Sequence, residues 1–153
     1  MGPRYFEDFL ELVDGAPIEL GSHIFTEQDI VEFARAYDPQ TMHTDPERAR
    51  SSIYGGLIAS GWHTAALVMQ LVVANYLSKV ATLPSPGIDE LRWVRPVRPG
   101  DRLRVRSTVT EANRSRSKPD RGMVRSLVEV LNQNDEVVMS FRPMNLMRCR
   151  GAA

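Results

Sequence analysis

Three observations on the chain predict an α+β fold in which antiparallel strands enclose a long apolar helix. Four segments in the second half, Gly87 to Val94, Asp101 to Ala112, Met123 to Leu131 and Val137 to Met147, space Val, Leu and Ile by two in most places. That is the period of a half-buried strand. One earlier segment, from about Ser60 to Ala81, is apolar almost all round a helix, with Trp62, Ala65, Leu67, Met69, Val72, Val73, Tyr76 and Leu77. Such a helix has to be wrapped by other structure. The turn-rich Asn132-Gln133-Asn134-Asp135 then joins the last two strands as a hairpin. At 153 residues the chain suits one domain, 1–153, with an N-terminal lead-in over 1–16.

The lead-in is acidic and offers Tyr5, Phe6, Phe9, Leu10 and Leu12 for packing. Ile18 to Phe25 reads as a first strand, with Ile18, Leu20, Ser22 and Ile24 on one face. Thr26 is an N-cap, and Asp29 three residues on completes an approximate capping box. The helix that follows puts Ile30, Phe33, Ala34 and Tyr37 on one stripe. Pro39 disfavours helical geometry at Asp38, which therefore begins a loop. Asp45 and Pro46 predict a short capped helical turn through Arg50, which Gly55-Gly56 breaks. Further on, Pro96 and Pro99-Gly100 separate the first two of the later strands, and Asn113 to Gly122 is a polar loop.

Composition narrows the function classes. Apolar residues make up 42% and charged residues 25%, as in ordinary globular chains. The lone Cys149 forms no disulfide within the chain and builds no Cys-rich metal site, which fits a reducing, cytoplasmic setting. It reads as an incidental end-of-strand thiol. Met1 to Asp14 carries four carboxylates and no long apolar run, so no secretory signal is expected. Leu57 to Ala81 contains His63, Thr64, Gln70, Asn75 and Lys79 and lacks basic flanks, which favours a buried helix over a membrane span. Net charge is zero but polarised: residues 1–90 hold 5 Lys/Arg against 13 Asp/Glu, and residues 91–153 hold 14 against 6. The basic half suits an anionic ligand, or equally an Arg-rich solvent face. Nucleic acid fits poorly, because the arginines alternate with apolar residues and no stacking motif accompanies them.

The chemistry-bearing stretch is Tyr37-Asp38-Pro39-Gln40-Thr41-Met42-His43-Thr44-Asp45-Pro46, followed by Gly55-Gly56-Leu57-Ile58-Ala59-Ser60-Gly61. It places an acid and an imidazole in one loop, just upstream of a helix start whose free N–H groups and dipole favour developing negative charge. It resembles the hydratase motif D-x-N-P-x-H-x-D-P and helix start of the MaoC-like dehydratases and (R)-specific enoyl-CoA hydratases. Leu91 to Asp101 likewise resembles that family's R-F-x-x-P-V-x-x-G-D strand and turn.

The resemblance, over roughly Leu20 to Met147, implies a hotdog fold whose central helix starts near Gly61, with the sheet continued across a homodimer or higher homo-oligomer. It implies addition or removal of water across the 2,3 double bond of an acyl-CoA thioester. Asp38 and His43 would activate the water and move its protons, and the Gly61 N–H would bind the thioester carbonyl. Asp45 and Pro46 would fix where His43 points. No metal and no cofactor beyond the substrate's CoA is expected, and Arg92 or Arg95 is placed to touch a CoA phosphate. Four positions depart from the family pattern: Gln40 replaces its Asn, Thr41 its Pro, Ser60 a common His, and Met69 a serine of some hydratases. Gln40, Ser60 and His63 are the further pocket residues expected, with Thr64 beside them. Residue by residue the plainer readings are a packing glycine at Gly61, a solvated Gln40, and core or surface imidazoles at His23 and His63. Two other functions compete. A hotdog thioesterase would carry its carboxylate on or beside the central helix, yet no Asp or Glu lies between Gly56 and Leu83. A non-catalytic acyl-CoA binder or partner subunit would not need the acid/base pair.

Overall fold

The computed structural model describes residues 5–77 and 79–151. Its elements run α1 (Phe6–Leu10), β1 (Ile18–Ile24), α2 (Glu27–Tyr37), α3 (Thr41–Thr44), α4 (Pro46–Arg50), α5 (Gly61–Asn75), β2 (Gly87–Trp93), β3 (Arg102–Arg114), β4 (Arg121–Leu131) and β5 (Val137–Arg148). The strands form one sheet in the order β1-β3-β4-β5-β2, antiparallel throughout.

Alternation decides which face of the sheet is buried. On β3, Leu103, Val105, Ser107 and Val109 point inward, and on β4 Val124, Ser126, Val128 and Val130 do the same. Arg102, Arg104 and Arg106 take the opposite face, as in a sheet with one side toward water. α5 supplies the core from the other side through Leu67 and Val68. The acidic lead-in is also structured: α1 buries Phe6 and Phe9, and the Phe9 ring meets Tyr76 edge-on. A Cβ at Gly122 would strike the Phe6 ring, so β4 is glycine where α1 crosses it.

The structure departs from the sequence expectations in four places. In β1 a bulge between Glu19 and Gly21 leaves Leu20 outside the pairing register. The alternation flips there: Leu20 and Phe25 are both buried, while Ile24 is exposed. α5 ends at Asn75 rather than near Ala81. The Asn75 amide donates to the Leu20 and Leu71 carbonyls, and Tyr76 leaves helical geometry. Finally, this one chain does not wrap α5 on all sides, since Trp62, Met69 and Val73 remain exposed. Tyr37, expected on the buried stripe of α2, is 75% exposed and only flanks Phe33. No helix among the described residues is long and apolar enough to cross a membrane.

Candidate active site

The site is assembled by three short-range devices. Thr26 and Asp29 cap α2 reciprocally, and α2 ends at Asp38, just before Pro39. The expected loop then contains one turn of helix, α3, which carries His43 inward to 6% exposure. Asp45 ends that turn and caps the next, accepting from the Arg48 N–H at 3.0 Å. Asp38 and His43 are thus held at two fixed points of a doubly capped segment.

The imidazole is oriented by a backbone carbonyl. His43 Nδ1 lies 2.8 Å from the Ile58 oxygen, and a carbonyl only accepts, so Nδ1 carries the proton. In the neutral ring this leaves a lone pair on Nε2, which faces Asp38 Oδ2 at 3.5 Å. That gap exceeds a direct hydrogen bond.

Asp38 is held more tightly than its loop position suggests. Ser60 Oγ donates to Oδ2 at 2.6 Å and Gln40 Nε2 donates to Oδ1 at 2.8 Å. The Ser60 hydroxyl, then the Gln40 amide, hold the Asp38 carboxyl below the usual carboxylate range against the opposing effect of burial. Asp38 is therefore an anion at neutral pH. Gln40 is solvent-exposed yet donates to the carboxylate, so its two alternative readings hold together.

Ser60 is also the N-cap of α5, accepting from the Trp62 N–H at 3.2 Å. One buried hydroxyl thus fixes the helix start and the carboxylate together. Gly61, the first residue of α5, presents an N–H that the helix itself does not use. A Cβ on Gly61 would lie within the Trp93 indole, 2.5 Å from Nε1, so close packing requires the glycine. Trp93 in turn meets Trp62 edge-on at 5.0 Å between centroids.

Asp38, Gln40, His43, Gly61, Trp62 and Thr64 line one open cleft of about 480 Å³. His63 is not among its walls. It stacks on Phe33 at 4.6 Å and lies against Phe25, on the side of α5 that faces α2. The expectation that His63 shapes this pocket is therefore corrected: two residues along a helix turns the side chain away from Gly61, and Thr64 takes the place. Burial lowers the His63 pKa. The two tryptophans and the Ile58 carbonyl carried no sequence signal of a role. Ser60, expected as a pocket residue, is likewise not among the walls: it is fully buried beneath the cleft, where it caps α5 and holds Asp38.

Comparison with known proteins matches residues 12–131 to the model of the MaoC-like domain. The chain belongs to the MaoC-like domain family. A curated relative, 3-hydroxyacyl-thioester dehydratase Z of Mycobacterium tuberculosis, is 33% identical over 111 residues, covering 69% of this chain and 74% of the relative. The crystal structure of a MaoC-like dehydratase from Rhodospirillum rubrum superposes with a TM-score of 0.87 at 39% identity, covering 97% of this chain and 99% of that one. The R-hydratase PhaJ1 of Pseudomonas aeruginosa shares the fold at a TM-score of 0.72 and 23% identity, over 95% of this chain and 85% of that one. The MaoC-like chain described here has the hotdog fold, its sheet curled over α5.

Proposed function

We propose that the protein is a hydratase/dehydratase of acyl-CoA thioesters, adding or removing water across the 2,3 double bond. The observation that carries this is the Asp38–His43 pair: an ionised carboxylate and an imidazole lone pair facing each other at 3.5 Å, in the cleft that Gly61 lines. One water donating to both fits that gap, and its own lone pair is then free to attack C3. As the C3–O bond forms, Asp38 takes a proton from the water. C2 gains a proton from the same pair, so the elements of water add across the bond. The Gly61 N–H at the start of α5 would stabilise the enolate-like thioester oxygen. Dehydration is the same path reversed. Family membership supports the reaction class, and the absence of any carboxylate on α5 weighs against a thioesterase.

We propose also that the working unit is a homodimer. Trp62, Met69 and Val73 of α5 and Ile88, Trp93 and Val94 at β2 are exposed apolar residues, and β2 is an edge strand with one side unpaired. A second copy would cover both.

Ultraviolet loss of the conjugated enoyl-thioester band on a panel of 2-enoyl-CoAs tests the reaction. Asp38→Asn and His43→Ala are each expected to lower kcat/KM by about 10²–10⁴-fold. Release of free CoA thiol would replace the hydratase reading with a thioesterase. Saturable binding without reaction across the panel would replace it with a binding protein.

A further inference from the structure

A second cleft, of about 330 Å³, lies between α5 and the sheet. On the helix it begins at Ala65, one residue past the Thr64 that lines the first cleft, and continues through Val68, Met69 and Val72 to Tyr76. These positions follow Gly61 in steps of three and four, so both clefts lie along one face of α5. Its walls are largely apolar, with Thr82, Ser85 and Asn145 among them, and no charged residue lines it.

Its far end is different. Tyr76 and Ser107 both line it, and the Tyr76 hydroxyl, Ser107 Oγ and Ser126 Oγ are buried without a hydrogen-bond partner among the described residues. Tyr76 is 5% exposed, Ser107 1% and Ser126 0%. The serines interrupt inward rows of valine on neighbouring strands: Ser107 pairs with Val128 and Ser126 with Val109, which puts the two hydroxyls on a diagonal of the inner face. The phenol lies beside both serine hydroxyls, which pull its pKa down against the larger effect of burial. Burial holds its pKa above the ordinary value, so it remains a neutral donor. Buried hydroxyls that are at best weakly bonded to one another, two of them lining the slot, cost free energy unless something polar meets them.

We propose that this end of the cleft recognises a neutral oxygen, hydroxyl or ketone, at the distal end of the acyl chain. The inference rests on the acyl-thioester reading of the first cleft and names a substrate class for it. The uncharged lining disfavours a terminal carboxylate, which would be buried without a cation. The run along α5 from Gly61 to its C-cap Tyr76 spans roughly 20 Å at about 1.5 Å per residue, so the chain is of medium length rather than short.

The test is calorimetric titration of the full chain with saturated, medium-length acyl-CoAs ending in methyl, hydroxyl or carboxylate. The wild type is expected to bind the hydroxyl-ended ligand about tenfold or more tighter than the methyl-ended one. Tyr76→Phe and Ser107→Ala are each expected to bring that ratio toward one. The ratio is read within each variant, so a partly folded sample does not mimic the effect. Equal affinities in the wild type, a ratio unchanged in both variants, or tighter binding of the carboxylate would overturn the proposal. Hydration of enoyl-CoAs without the preference sinks this inference alone. The preference without hydration sinks the catalytic reading alone. No binding of any acyl-CoA sinks both.

Discussion

At the scale of single residues, the candidate site is ordered by one backbone carbonyl on His43 and two side-chain donors on Asp38. The Ile58 carbonyl accepts from the Nδ1–H of His43, and Ser60 and Gln40 donate to the two oxygens of Asp38 without neutralising it. Ser60→Ala should therefore act twice. Losing the N-cap is expected to cost about 1 kcal/mol, read from denaturant unfolding. Losing the strongest donor to Asp38 lets its pKa rise, so the acid limb of the kcat/KM profile should move to higher pH. The sign for stability follows from the same shift. A carboxyl depressed in the folded state stabilises fully above its unfolded pKa of about 3.9 and loses that contribution as pH falls through the folded value. The stability gap between wild type and Ser60→Ala should therefore be widest near neutrality and narrow in acid; a gap constant with pH would refute the link to Asp38. Gly61 makes a separate test. Its φ is not in the left-handed region, so what forbids a side chain is the Trp93 ring. Gly61→Ala is expected to destabilise by about 1–3 kcal/mol, and Trp93→Ala should rescue most of that in a double-mutant cycle.

At the scale of elements, what could be seen in the sequence was what is decided within a few residues. The capping box at Thr26, the end of α2 before Pro39, the Asp45 cap and the strand spans all rest on local chemistry, and each is present. Asp38, His43 and Gly61 reach one cleft because short, capped segments leave them little choice. The β1 bulge escaped notice because Ile18, Leu20 and Ile24 alternate well enough as written; the flip depends on register against β3. The early end of α5 was equally hidden, since it depends on Asn75 reaching back to Leu20 across the fold. His63 is the instructive miss, because helical phase alone separates it from Gly61. The bulge yields its own prediction. Gly21 has φ +115°, and a Cβ there would meet Leu71 Cδ2 at 3.3 Å. Gly21→Ala should cost about 1–3 kcal/mol in urea unfolding, with an unchanged m-value.

At the scale of the whole molecule, the polarised charge of the sequence is resolved inside the fold. Arg104 pairs with Glu19, Arg114 with Glu7, Arg125 with Asp89 and Arg142 with Glu90, so much of the basic half meets the acidic half. Such exposed pairs contribute little each, and raising salt should lower the unfolding midpoint only slightly. The exposed apolar band of α5 and β2 makes a stronger demand. Sedimentation is expected to show a dimer, and Trp62→Glu should convert it to monomer; a monomeric wild type would remove the homodimer proposal. The sheet order carries a last consequence, for how the chain is made. Ile18 pairs with Ser107, so a nascent chain leaving the ribosome carries β1 and the Asp38–His43 segment long before the strand that pairs with β1 exists. Until β3 emerges, α2 and α5 have no sheet to lie on, and the apolar sides of α5 stay exposed. The protein folds late in its own synthesis.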